Sequence, residues 1–292
     1  MQYYVIILVR LFLGRKSKMS MDIKEILNSK KLFIFDMDGT IYLGGVPFDF
    51  AKQFIKNLRN SGKEVLFFTN NASHTTPYYH EKLTRLGFEP REREIMTAGD
   101  VTYEFLSRHR KGCSIYTVAT DELTEEYRNK GLSILNGKEK IDCADVVVTS
   151  FDTSLTYEKL NVACRLIRNG AEYISTHPDF NCPTEDGFIP DSGAIAALVT
   201  ASTGVTPTYF GKPYKETVEM IAEYTGYPTE EMCIFGDRLY TDIALGKSFG
   251  VTACLVLSGE TKQSDVDAAL DKDKPDYTFG SLDDVNKIMF EN

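Results

Sequence analysis

Four short apolar runs in this chain stop in the same manner. "LFIF" runs into Asp36-Met37-Asp38-Gly39-Thr40, "EVLFF" into Thr69-Asn70-Asn71, "TYF" into Gly211-Lys212-Pro213, and "CIF" into Gly236-Asp237. An uninterrupted apolar run of this length reads as a strand buried on both faces, which is the habit of parallel sheets. Helical spacing separates the runs. Phe50, Phe54, Ile55 and Leu58 share a face before Gly62. "TTPYYHEKLTRLG" offers Thr76 as N-cap, Pro77 in the first turn and Gly87 as the stop. "YKETVEMIAEYTG" turns Val218, Ile221 and Ala222 inward, and "TDIALGKSFG" reads as a short helix closing at Gly250. The alternation predicts an α/β fold, a parallel sheet with helices on its faces.

The middle of the chain, from about residue 99 to 206, has strands of its own in "CSIYTV", "DVVVTSF" and "EYISTHPD", and a helix in "TYEKLNVACRLIRNG". It is long enough to be a second α/β unit inserted into the first. The expected division is an extension outside the fold over 1–21, a core over 22–99 and 207–292, and an insertion over 100–206. Within the extension, the apolar burst Val5 to Val9 is interrupted by Arg10 and closed by Arg15, Lys16 and Lys18. It is short of the roughly 20 apolar residues of a membrane span and lacks the order of a signal peptide, so no membrane partner is expected. A net charge of −9 argues against a nucleic-acid partner, though a locally positive site can still take an anionic substrate. The six cysteines are scattered with no C-x-x-C pair, which points to reduced thiols in a cytoplasmic protein rather than to a zinc site or disulfide framework.

In an open parallel sheet, ligands bind beyond the carboxyl ends of the strands. If the four strands are neighbours, their terminal groups share one crevice. Asp36, Asp38 and Asp237 are hard oxygen donors that suit Mg²⁺, and the metal would relieve the repulsion between them. A carboxylate beside Mg²⁺ can attack phosphorus to form an aspartyl-phosphate. Lys212 can balance the charge, and Thr69 with nearby backbone N–H groups can hold phosphoryl oxygens. Asp38 can give a proton to the leaving oxygen and later take one from water. Singly, each element has a plainer reading: Asp-x-Asp-Gly as a turn, Thr69-Asn70-Asn71 as turn polars, Gly211-Lys212-Pro213 as a solvated turn, Asp237 and Asp242 as helix caps. Their joint occurrence at four strand ends favours the site.

These residues resemble the four motifs of the haloacid dehalogenase phosphatase superfamily: "DMDGT", "FFTNN", "GKP" and "GDRLYTDI". The stretch "THPDFNCPTEDGFIPDSGAI" resembles its NagD-like, p-nitrophenylphosphatase-type branch, subfamily IIA. The resemblance covers the chain from about Lys31 onward. It implies a Rossmann-like, doubly wound core with a large inserted α/β cap. It implies Asp36 as nucleophile, Asp38 as general acid/base, Lys212 as the catalytic lysine and Thr69 with Asn70 at the phosphate. It also implies Mg²⁺ held by Asp36, Asp38 and Asp237, with Asp242 in support. The implied reaction is hydrolysis of a small phosphomonoester, of the sugar phosphate, glycerol phosphate, nucleotide or pyridoxal phosphate class. A homodimer through the cap is a further expectation of the family. His177, Asp179 and Asp186 are candidate substrate contacts in the cap. One departure is "PDSG" where the branch carries "PGxG", so Asp191 brings a negative charge to that turn. A mutase of the same fold would have a smaller cap nearer the first motif. A dehalogenase would lack Asp38, and a catalytically silent binding protein would have lost Asp36 or Asp237.

Overall fold

The computed structural model describes residues 23–138, 140–184 and 186–291, and the extension expected over 1–21 lies outside them. Its larger sheet runs, edge to edge, Tyr277–Phe279, Thr252–Val256, Met232–Gly236, Leu32–Phe35, Glu64–Thr69 and Ile95–Thr97. Every neighbouring pair is parallel. Side chains of the central strand alternate between two cores. Phe33 and Phe35 join Phe54, Phe67 and Phe235 on one side. Leu32 and Ile34 join Leu66, Phe68 and Ile234 on the other. Both faces are therefore covered, which is why the sequence shows no polar alternation. Phe35 stacks on Phe235 with centroids 5.3 Å apart and meets Phe54 edge-on at 5.9 Å, geometries that add to burial alone. Phe54 belongs to the helix Asp49–Asn60, which buries Ala51, Phe54, Ile55 and Leu58, while Phe50 is only partly buried against the same core.

The strand order reverses at Leu32–Phe35. The chain leaves it for Glu64–Thr69 on one side and returns much later as Met232–Gly236 on the other. Loops leave the two carboxyl ends in opposite directions and open a crevice there. Asp36 and Asp237 are the residues that follow these two strands.

A second parallel sheet runs Thr208–Tyr209, Glu172–Ser175, Val146–Thr149, Ser114–Val118 and Ser133–Ile134. The run "TYF", expected beside the other three, pairs instead with Ile174 and Ser175 of this sheet. Its two strand residues are exposed and half-buried, unlike the sealed central strands, so an edge position suits them. Lys212 thus reaches the crevice from the second sheet. A separate hairpin, Asn181–Thr184 with Gly187–Pro190, projects from the same part.

The helix Thr76–Arg85 takes Thr75 rather than Thr76 as its N-cap. Thr75 donates its backbone N–H and hydroxyl to the Glu122 carboxylate, at 3.0 and 2.8 Å, which ties this helix to the middle segment. All six cysteines are free thiols. Among the described residues, no helix is long and apolar enough to cross a membrane.

Candidate active site

Glycines shape the crevice. Gly39 closes the turn after the central strand at φ +81°, with its N–H on the Tyr42 carbonyl at 2.7 Å. A side chain at Gly39 or at Gly259 would collide with the Asp237 carboxylate, and one at Gly236 with that of Asp242. The backbone therefore closes around two buried aspartates only where Cβ is missing. Gly39→Ala combines the left-handed conformation with that collision. It is expected to lower catalytic efficiency by about 100-fold and stability by roughly 2 kcal/mol, read from kinetics and urea denaturation. An alanine variant with unaltered kinetics would sink the account.

Asp242 lies in a π-helical turn, Leu239–Ile243, that precedes the helix Ala244–Phe249, where the sequence predicts a plain helix. Such wide turns are frequent at functional sites. The Lys212 ammonium, itself 2% exposed, donates to Asp36 Oδ1 at 2.5 Å and to Asp242 Oδ1 at 2.7 Å. Burial alone would lower the lysine's pKa, but Asp242 and Asp36 outweigh it and hold the group charged. Burial pushes Asp36 up to about 7, with Asp242 and Asp237 adding to the rise and Lys212 opposing it. Burial likewise lifts Asp237 to about 6.

One oxygen of Asp237 accepts the Glu260 backbone N–H at 2.7 Å, while Oδ1 is buried without a partner. Carboxylate oxygens of Asp36, Asp237 and Asp242 lie within 4.8 Å of one another. An orphaned buried oxygen among three converging carboxylates is unfavourable as it stands and fits a hard divalent cation such as Mg²⁺. Asp38, expected among the side-chain ligands, lies outside this group, and Asp242, expected behind it, belongs to it.

The crevice holds a cavity of about 220 Å³ lined by Asp36, Asp38, Thr69, Asn70, Asp179, Asp191 and Lys212, among others. Thr69 is half-buried at its edge, its hydroxyl accepting the Asn71 N–H at 3.2 Å. Asn70 lines the same cavity, and its side chain ties the lysine loop to Asp179. Oδ1 accepts the Lys212 N–H at 2.8 Å, and Nδ2 donates to the Lys212 carbonyl at 2.9 Å and to Asp179 at 3.2 Å. That fills both amide hydrogens and leaves one lone pair. Asp179 also lines a larger neighbouring cavity of 820 Å³, with Phe180, Phe188, Arg238 and Tyr240.

Two cap candidates do not reach the cavity. Asp186 is exposed at the tip of the hairpin. His177 is fully buried and bonds Asp191 Oδ1 through Nε2 at 2.8 Å and the Thr176 hydroxyl through Nδ1 at 3.0 Å. Asp191 is the N-cap of the helix Ser192–Thr203, accepting the Ser192 N–H at 2.5 Å, and is 4% exposed. The negative charge expected at that turn is thus answered inside the protein by His177. The sequence reading missed Tyr42, Lys82 and Arg238, which also line the cavity. Arg238 stands beside Asp237 in the fourth motif, a signal that was there to find. Lys82 sits on a helix face with no motif to mark it.

Residues 33–133 match the model of a family described as haloacid dehalogenase-like hydrolase, and residues 209–285 match one described as HAD-hydrolase-like. The chain is 34% identical over 256 residues to a 5'-nucleotidase of Bacillus subtilis, covering 88% of this chain and 97% of that protein. It is 35% identical over 255 residues to an acid sugar phosphatase of Staphylococcus aureus, covering 87% and 96%. Among solved structures, a 4-nitrophenylphosphatase of Thermotoga maritima superposes with a TM-score of 0.82 at 40% identity, covering 90% of this chain and 98% of that one.

Proposed function

The chain belongs to the haloacid dehalogenase-like hydrolases, and from that premise we propose that it is a Mg²⁺-dependent phosphatase acting on small phosphomonoesters through an aspartyl-phosphate on Asp36. The observation that carries this reading is the Lys212 ammonium held between Asp36 and Asp242, beside the unpartnered Asp237 oxygen. The phosphatase class is supported by relatives named for that activity over nearly their whole length.

In this reading an Asp36 oxygen attacks phosphorus while the bond from phosphorus to the leaving oxygen breaks. Asp38 gives its proton to that oxygen and then takes one from the water that hydrolyses phospho-Asp36, releasing phosphate. Lys212 favours the ionised form of Asp36, whose burial works against ionisation, and presents positive charge to the phosphoryl oxygens. The Thr69 hydroxyl is available at the rim to orient them. Mg²⁺, when held by Asp36, Asp237 and Asp242, would neutralise charge on the transferring group. Asp179 and Asp191 contribute the wall supplied by the second-sheet segment.

The test is phosphate release from sugar phosphates, nucleoside monophosphates and 4-nitrophenyl phosphate, with Mg²⁺ and with EDTA. Release is expected with Mg²⁺ and should drop by at least about 100-fold on chelation. A flat panel, or turnover indifferent to EDTA, overturns the reading.

A further inference from the structure

Among the described residues, the charged groups lining the 220 Å³ cavity have a hydrogen-bond or ion-pair partner with two exceptions, the Asp38 carboxylate and a single cation, Lys82. Lys212 holds Asp36 and Asp242, Asp179 accepts from Asn70, Asp191 pairs with His177, and Arg238 Nε lies 3.1 Å from Glu260. Lys82 lines the same cavity, and among the described residues no carboxylate, carbonyl or hydroxyl lies within bonding reach of its ammonium. The ammonium rests over the Tyr42 ring, 4.3 Å from the centroid. That contact steers it without neutralising it. Burial pulls its pKa below the usual lysine value while Asp38 pulls the other way.

Its position assigns a side of the cavity. Tyr42 is bridged through the backbone to Asp38, so the ammonium above its ring stands on the Asp38 side. In the reading above, which this inference presupposes, Asp38 protonates the leaving oxygen. Lys82 therefore faces the leaving group, not the phosphoryl group that Lys212 serves. We propose that Lys82 is a specificity residue that selects phosphomonoesters whose leaving group carries a carboxylate. A single unpaired ammonium in a small, partly buried cavity favours a compact monoanion, because an ion pair formed there is less screened than one at the surface.

The test compares 3-phosphoglycerate with glycerol 3-phosphate, which have the same skeleton and differ by a carboxylate against a hydroxymethyl group. Wild type should favour the acid by about tenfold or more in kcat/KM. Lys82→Met should remove that preference, raising KM for 3-phosphoglycerate by about tenfold while moving glycerol 3-phosphate by less than about threefold. Lys82→Arg should restore most of it. An equal loss on both substrates would make Lys82 a contact of the phosphoryl group or a packing residue, and would overturn the proposal, as would a wild type with no preference for the acid. Thermal denaturation of both variants identifies a folding defect. If wild type releases no phosphate even from 4-nitrophenyl phosphate, the phosphatase reading itself fails and takes the proposal with it.

Discussion

Asp36→Asn is expected to abolish phosphate release, by at least about 10³-fold, while making the metal-free protein more stable at pH 8. The two effects have one origin. An amide oxygen still accepts the Lys212 hydrogen bond, so the local geometry survives, but it cannot become an acyl phosphate. The stability gain follows from titration. Burial first, then Asp242 and Asp237, raise the Asp36 carboxyl from the usual 3.8 to about 7. Between those values the folded state binds the proton more tightly than the unfolded chain, so stability falls as pH rises through that window. The penalty is complete above about 7, and asparagine does not carry it. Denaturation in EDTA should therefore show the variant more stable at pH 8 and level with wild type near pH 4. Activity within about tenfold of wild type would end the nucleophile assignment. A variant less stable than wild type at pH 8 would end the burial argument alone.

His177→Leu is expected to remove about 3–5 kcal/mol of stability, the range for breaking one side of a buried ion pair. Burial lowers the imidazole pKa, but the Asp191 carboxylate outweighs it and holds the group above 6.5. Leucine leaves Asp191 buried and without its cation, on a helix N-cap that also needs it. A raised folded-state pKa contributes stability that is fully present below the unfolded value near 6.5 and is lost as pH rises through the folded one. The gap between variant and wild type in urea denaturation should thus be widest below the unfolded value near 6.5 and narrow as pH rises above it. Asp191→Asn keeps an acceptor for the Ser192 N–H and should lose less. A leucine variant within about 1 kcal/mol of wild type would show that the pair contributes little. The same histidine packs on the lysine loop, since a Cβ at Gly211 would touch His177.

These two predictions also show where the sequence is readable. Asp36 announces itself because Asp38 follows two residues on and polar groups end three further apolar runs, a conjunction that a simple turn does not require. The runs through Ile34, Phe67 and Ile234 identify the parallel sheet, since burial on both faces writes itself into consecutive residues. The pairing of His177 with Asp191 is written nowhere along the chain. Thirteen residues and a hairpin separate them, and only the folded segment brings the ring to the carboxylate. Lys82 is hidden for a related reason: its meaning lies in what it lacks, a partner, and partners are tertiary. That the Asn70 amide ties the Lys212 loop to Asp179 is equally invisible in sequence, because its partners lie more than 100 residues away. Rhythm alone puts the strand Thr208–Tyr209 beside the other three, whereas it pairs with the second sheet, because two residues carry no pattern that distinguishes one sheet edge from another.

The reversal of strand order at Leu32–Phe35 has a consequence for how the protein is made. Its neighbour Met232–Gly236 emerges almost 200 residues after it. At roughly 5–20 residues per second of synthesis, one side of the strand waits about 10–40 seconds for its partner. For that interval the nascent chain displays an open strand edge, its backbone N–H and C=O groups unpaired, and Phe33 and Phe35 lack the Phe235 ring that later packs against them. The two halves of the catalytic crevice cannot meet until nearly four-fifths of the chain has left the ribosome. A truncated translation product ending before Met232 would therefore be both inert and adhesive, a natural client for chaperones during its own synthesis.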